Sequence, residues 1–434
     1  MTAPGPATTQ LRRAALSSYL GSVIEYYDFL LYATAAALVF GPVFFSGLDP
    51  VVGTIASLGT LATGYLARPL GGILFGHFGD RVGRKKMLIT TMTLMGVASV
   101  LIGLLPTPAQ IGALAPVLLV VLRVAQGIAV GGEWGGAVLL SAEHATSRRG
   151  LWASFTNAGA PSGGVLSTVV LAVTAATMSE EAFLSWGWRI PFLLSAVLLA
   201  LGLFVRSRVE ETPVFRAGIA EAPPAFPLLD VLRHHPRVLA LSVGIGFAAF
   251  VVQATITTFS LSYAVEAGIA RSTVLNALTA SSVAAVAGII GWSALSDRLG
   301  RRPVMIAGAV ACGAWAFALF PLIRSGSTAL LVVAVVVGQG LLHPALYGPL
   351  AALYTELFAT RSRYTGASLG YQLAGTGAGF APLAFAAIYG ATGGTLAISV
   401  IIAALCLLTV VCLALAPETH RRSLSGPEAR VPVA

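Results

Sequence analysis

Three acids and two arginines stand inside long apolar stretches of this chain: Glu25 and Asp28 in "SVIEYYDFLLYATAAALVF", Arg68 in "GYLARPLGGILF", and Arg123 and Glu133 in "LRVAQGIAVGGEWGG". Charges in such stretches are costly and persist where they face a bundle interior or one another. Glu25 and Asp28 are three residues apart and share a helical face. Arg123, Gln126, Val130 and Glu133 fall on one stripe of another helix. With all five charges ionised the set carries one anion in surplus, and an unpaired charge in low dielectric tends to neutralise. The expectation is a proton-loading site, with Asp28 partnered by Arg123 and with Glu25 or Glu133 second. The competing reading is a fixed salt-bridge network that only holds helices together.

A guanidinium grips a carboxylate with two parallel hydrogen bonds, so Arg68 and Arg123 are also candidate substrate ligands for an organic acid. If internal pairing occupies them, a zwitterion fits instead. Tyr26, Gln126, Trp134 and Asn157 are further candidates in the first half of the chain. Gln253, His343, Tyr347 and Gln372 are polar candidates in the second. His343 precedes Pro344, which can loosen backbone hydrogen bonding near a site.

No Lys follows a Gly, so there is no Walker A loop, and no H-E-x-x-H, G-x-S-x-G or Cys/His cluster is present. The chain is therefore not expected to be an enzyme or to carry a metal or cofactor. Cys312, Cys406 and Cys412 lie in expected helices and read as packing residues.

The elements that must position these groups follow from composition. Of 434 residues, 56% are hydrophobic and only 10% charged, against about a quarter charged in soluble domains. Apolar runs long enough to cross a hydrocarbon core of about 30 Å recur throughout. They give twelve expected membrane-spanning helices, the first near 14–40 and the last near 395–416. An alternating barrel pattern is missing. With both termini in the cytoplasm, 21 of the 26 Lys and Arg fall on the cytoplasmic side, as the positive-inside rule requires. The net charge of +9 is spread over short loops by that rule, which argues against nucleic acid as a partner.

"GDRVGRKKM" from Gly79 and "SDRLGRRPVM" from Ser296 place Asp80 and Asp297 217 residues apart, half the chain. A second echo, "QGIAVGGEWGGAVLLSAEHATSRRG" and "QGLLHPALYGPLAALYTELFATRSR", aligns Glu143 with Glu356. Two echoes at nearly one offset imply a six-helix unit used twice in the same orientation. The expected organisation is a first half over 1–206, a charged, proline-rich cytoplasmic linker over 207–236, and a second half over 237–434. Parallel halves of this kind describe a carrier with a site at mid-membrane.

"GHFGDRVGRKK" and "RVAQGIAVGGEWG" resemble the signatures of the major facilitator superfamily. With "EYYDFLLY", "RPLGGILFGHFGDR" and "SWGWRIPFLLS", the chain resembles its metabolite:proton symporter branch, carriers of 2-oxoglutarate, citrate, shikimate, proline or betaine. The resemblance implies the major facilitator fold and proton-coupled uptake of a small organic acid or zwitterion by a monomer in the inner or plasma membrane of a bacterium. It further implies a state-dependent cytoplasmic latch at Asp80, Arg81, Gly83 and Arg84, echoed by Asp297, Arg298 and Arg301, with Glu143 and Glu356 beside it. Proton-driven export, or a sensor on the same fold, are the alternative functions.

Overall fold

A helix satisfies all its backbone hydrogen bonds internally, which an apolar membrane span must do. The computed structural model describes residues 6–218 and 226–424, and the runs read from the sequence form twelve long helices. The first two are α1 (Pro6–Leu38) and α2 (Pro50–Val82), 33 residues each. They are followed by α3 (Arg84–Leu104), α4 (Leu114–His144), α5 (Arg149–Ala176) and α6 (Arg189–Ser207). The second half holds α7 (Pro236–Glu266), α8 (Arg271–Leu299), α9 (Arg301–Arg324), α10 (Thr328–Leu357), α11 (Arg363–Thr392) and α12 (Leu396–Leu415). From α3 to α12 each is long and apolar enough to cross a membrane. The described residues contain no strand, and the all-α fold class is as expected. Two short helices, Pro213–Gly218 and Pro227–His234, lie between α6 and α7. The expected linker's residues 219–225 lie outside the described residues.

Close packing in the first half depends on glycine. A Cβ on Gly127 would sit 2.2 Å from the Gly64 carbonyl oxygen, and one on Gly131 would sit 2.0 Å from that of Arg68. Helices α2 and α4 therefore touch backbone to backbone, the small-residue packing common between membrane helices. This contact brings the Arg68 and Arg123 segments together.

The halves meet along two seams, α2 against α11 and α5 against α8. Helices α7 and α10 are widened by π-helical stretches at Thr255–Phe259 and Val336–Leu342. The second ends immediately before His343, where the sequence led us to expect a loosened backbone. The turns at Gly79–Lys86 and Ser296–Arg302 lie at the same end of the bundle, called the motif face below. Gly83 and Gly300 take φ values of +120° and +102° there, which a side chain would strain.

Candidate functional site

At mid-depth the two halves are joined by hydrogen bonds between side chains. Arg68 donates from Nε to Oε1 of Gln372 at 3.0 Å, and Gln372 donates to the Gly131 carbonyl at 3.1 Å. Tyr371 lies between two other phenols, 3.3 Å from the Tyr26 hydroxyl and 2.8 Å from that of Tyr347. Trp134 of α4 stacks on Tyr371 with ring centroids 3.6 Å apart. Its indole N–H is held by Asn157, whose amide in turn donates to the Tyr347 carbonyl at 2.9 Å. Six expected residues, Tyr26, Arg68, Trp134, Asn157, Tyr347 and Gln372, thus form one cluster with Tyr371, which sequence reasoning missed. Its signal was its place next to Gln372, on the same buried stretch of α11.

His343 is buried among packing contacts. Its Nε2 is 3.1 Å from the Ala249 carbonyl oxygen, which can only accept, and its ring stacks on Tyr347. Gln253 is half-buried on α7 and adds no described side-chain contact to the cluster.

The buried charges differ from expectation in two respects. Arg206, one of the 21 cations counted on the cytoplasmic side from the sequence, is 2% exposed and forms an ion pair with Glu133. Glu133 also accepts from the Thr91 hydroxyl. The buried set is therefore three acids (Glu25, Asp28 and Glu133) with three arginines (Arg68, Arg123 and Arg206), and the expected surplus anion does not exist. The cause is geometric: Arg206 lies in the last turn of α6, packed against α3, and its guanidinium also bonds the Leu88 carbonyl.

The second difference concerns Asp28 and Arg123, which form no ion pair here. Asp28 accepts from Ser195 of α6, and its other carboxylate oxygen has no partner. Arg123 bonds Gln126 at 3.1 Å and lies over the rings of Phe29 and Tyr32 at 4.1 and 4.2 Å. Its Nε and one terminal nitrogen have no partner. Aromatic faces attract the cation without neutralising it. Glu25 points toward α3 and α4 beside a void of about 10 Å³ that Glu133 and Thr91 also line, and its Oε2 has no partner either.

The motif face repeats one arrangement twice, each time across the two halves. Asp80 accepts from the backbone N–H groups of Tyr364 and Thr365, both at 3.0 Å, at the start of α11. Asp297 accepts from those of Gly150 and Leu151 at 2.7 and 2.9 Å, at the start of α5. Each acid therefore caps a helix of the opposite half, where the helix dipole favours an anion. Beside them Glu143 lies between Arg84 at 3.5 Å and Arg363 at 3.2 Å, and Glu356 between Arg301 at 3.1 Å and Arg149 at 2.8 Å. Thr212 and Thr419 donate to Glu143 and Glu356 respectively.

Arg81 and Arg298, also expected in the latch, are exposed. Sequence reasoning missed Arg149, Arg363, Thr212, Thr419, Glu211 and Glu418. Glu211 accepts from the N–H groups of Arg84 and Lys85, and Glu418 from those of Arg301 and Arg302, capping α3 and α9. The available signal was a repeated Glu-Thr pair, Glu211-Thr212 and Glu418-Thr419, 207 positions apart.

Comparison with known proteins is consistent with this architecture. The family model for "Sugar (and other) transporter" matches residues 14–225, and that for "Major Facilitator Superfamily" matches 241–434. The shikimate transporter of Escherichia coli (strain K12) is 38% identical over 97% of this chain and 98% of its own length. The chain belongs to the major facilitator superfamily. Another relative in it, the glycine betaine/proline/ectoine/pipecolic acid transporter OusA of Dickeya dadantii (strain 3937), is 34% identical over 86% of this chain and 76% of its own. Among solved structures, the proton:xylose symporter XylE bound to 6-bromo-6-deoxy-D-glucose superposes with a TM-score of 0.75. It is 18% identical, with 95% of this chain and 97% of that one covered, and so shares the fold. The chain is a multi-pass membrane protein of a secondary-transporter family, and it is not an enzyme.

Proposed function

We propose that this protein is a proton-coupled symporter that takes up a small carboxylate-bearing metabolite by alternating access. It would sit as a monomer in a bacterial inner membrane with both termini in the cytoplasm. The observation that carries the reading is the state of the buried charges. Glu25 and Asp28 each keep a carboxylate oxygen without a partner, and Arg123 keeps two nitrogens without one.

Three buried acids balance three buried arginines when all are ionised. Binding a substrate carboxylate alone would leave a net negative charge in a medium that penalises it. Binding a proton alone would leave a net positive charge. Binding both restores neutrality, so each favours the other, and this reciprocity is the thermodynamic requirement for coupling. Asp28 is the first candidate to take the proton and Glu25 the second. Glu133 is less suited because Arg206 already pairs with it. Arg123, and Arg68 beside the tyrosine cluster, supply the guanidinium groups for the carboxylate. The names of the relatives above point to shikimate, an acid, and betaine or proline, zwitterions, as the first solutes to try. The motif-face contacts serve as the latch, closing one side until the substrate-loaded carrier rearranges.

The test is uptake into proteoliposomes under an imposed proton gradient. Asp28→Asn is expected to abolish uphill accumulation while permitting some counterflow exchange. Full gradient-driven accumulation by that variant would remove Asp28 from the mechanism, and uptake by the native chain that ignores the gradient would overturn the symport reading.

A further inference from the structure

A second cavity borders the tyrosine cluster, along the seam where α2 meets α11. It encloses about 160 Å³, and every residue lining it belongs to one of those two helices. Arg68 and Gln372 line one end. Apart from Pro69, its other lining residues, Ala62, Tyr65 and Leu66 on α2 and Gly375 to Phe380 on α11, lie farther from the motif face than these two. The space exists because side chains are missing where the helices face each other. A Cβ on Gly379 would meet nothing within 4 Å, and one on Gly375 would meet only Phe250, at 3.8 Å.

Two features give this cavity a direction and a chemistry. Leu66 and Phe380 line it and are 67% and 63% exposed. Leu70 and Leu383, one turn along their helices, are exposed as well, so the mouth lies on faces that meet lipid. At the inner end Arg68 is 8% exposed and donates from Nε to Gln372, with no described hydrogen bond from its two terminal nitrogens. A buried guanidinium with free donors, reached through an apolar opening, suits an anionic head with an apolar tail.

We propose that this seam is a lateral binding site for an amphipathic anion drawn from the membrane, its acidic group on Arg68 and its chain passing out between Leu66 and Phe380. The volume equals about five water-sized units of ~30 Å³, which admits a carboxylate and a few carbons while the rest of the chain stays among the lipids. The site borders the proposed solute site through Arg68 but is reached from a different medium. Its occupant would compete for the arginine that the solute needs.

The test uses the purified full-length protein with decanoate, its methyl ester and phosphatidylglycerol as probes. Decanoate is expected to raise the thermal unfolding midpoint saturably, by mass action on the folded state, and the uncharged ester is not. Gly379→Leu should fill the cavity and weaken the decanoate response at least about tenfold, while gradient-driven solute uptake in proteoliposomes stays within about twofold of the native chain. Thr376→Trp provides a second obstruction if the leucine variant does not fold. Competition by phosphatidylglycerol that Gly379→Leu abolishes would identify a lipid headgroup as the occupant, and its absence a free fatty acid. An equal response to the ester, or an undiminished decanoate response in both filled variants, would overturn the proposal. Because solute uptake is read separately, that failure would leave the symport reading standing.

Discussion

Glu133 and Arg206 show how one misplaced residue alters a functional argument. From sequence, Arg206 closes a span and belongs with the cytoplasmic cations. In the structure it turns inward to Glu133, so the charge that would have made the buried set anionic is already matched. Removing one partner of such a pair leaves a buried charge alone, at a cost of about 3–5 kcal/mol. Arg206→Ala should therefore lower stability by about that amount, measured by chemical unfolding in detergent. Glu133→Gln combined with Arg206→Gln should cost less than Arg206→Ala alone, since no bare charge remains. The other deep residues were legible because a charge in an apolar run has few innocent explanations. What could not be read was which charge meets which, since the pairing depends on helix rotation. That is why Asp28 faces Ser195 while Arg123 lies over two aromatic rings.

At the level of helices, the informative contacts are the caps. The first turns of α5 and α11 receive no cap from their own N-cap side chains, Arg148 and Ser362; Asp297 and Asp80 supply it from the other half. A carboxylate accepting backbone N–H groups contributes about 1.5–3 kcal/mol per bond. Asp80→Asn and Asp297→Asn should each shift the carrier toward opening at the motif face by tenfold or more. The readout is alkylation of a single cysteine introduced on that face, and the two variants should respond to a similar extent. That Asp80 and Asp297 would occupy matching places was legible because a motif repeated half a chain away is hard to produce by chance. Those of Glu211 and Glu418 were not, because each caps a helix more than a hundred residues earlier and no local pattern marks the partner.

For the molecule as a whole, the twelve helices could be read from hydropathy, while the interior contacts between them could not. Just past α12, Glu418 offers a pH test of the closed motif face. Burial works against its charge, but the N–H groups of Arg301, Arg302, Thr419 and His420 outweigh that and hold its carboxyl below the ordinary 4.5. A depressed carboxylate stabilises the fold above its unfolded value and loses that contribution as pH falls through the folded one. The native chain should unfold at a higher temperature than Glu418→Gln near pH 6, and the gap should close as pH drops below 4.5. The ion triads carry a further implication for ancestry and engineering. Glu143 takes Arg363 from across the seam and Glu356 takes Arg149, so neither half owns a complete set. A hybrid built from the front of this carrier and the back of a distant cousin would inherit mismatched counterparts, and its assembly should fail unless both crossed pairs are transplanted together.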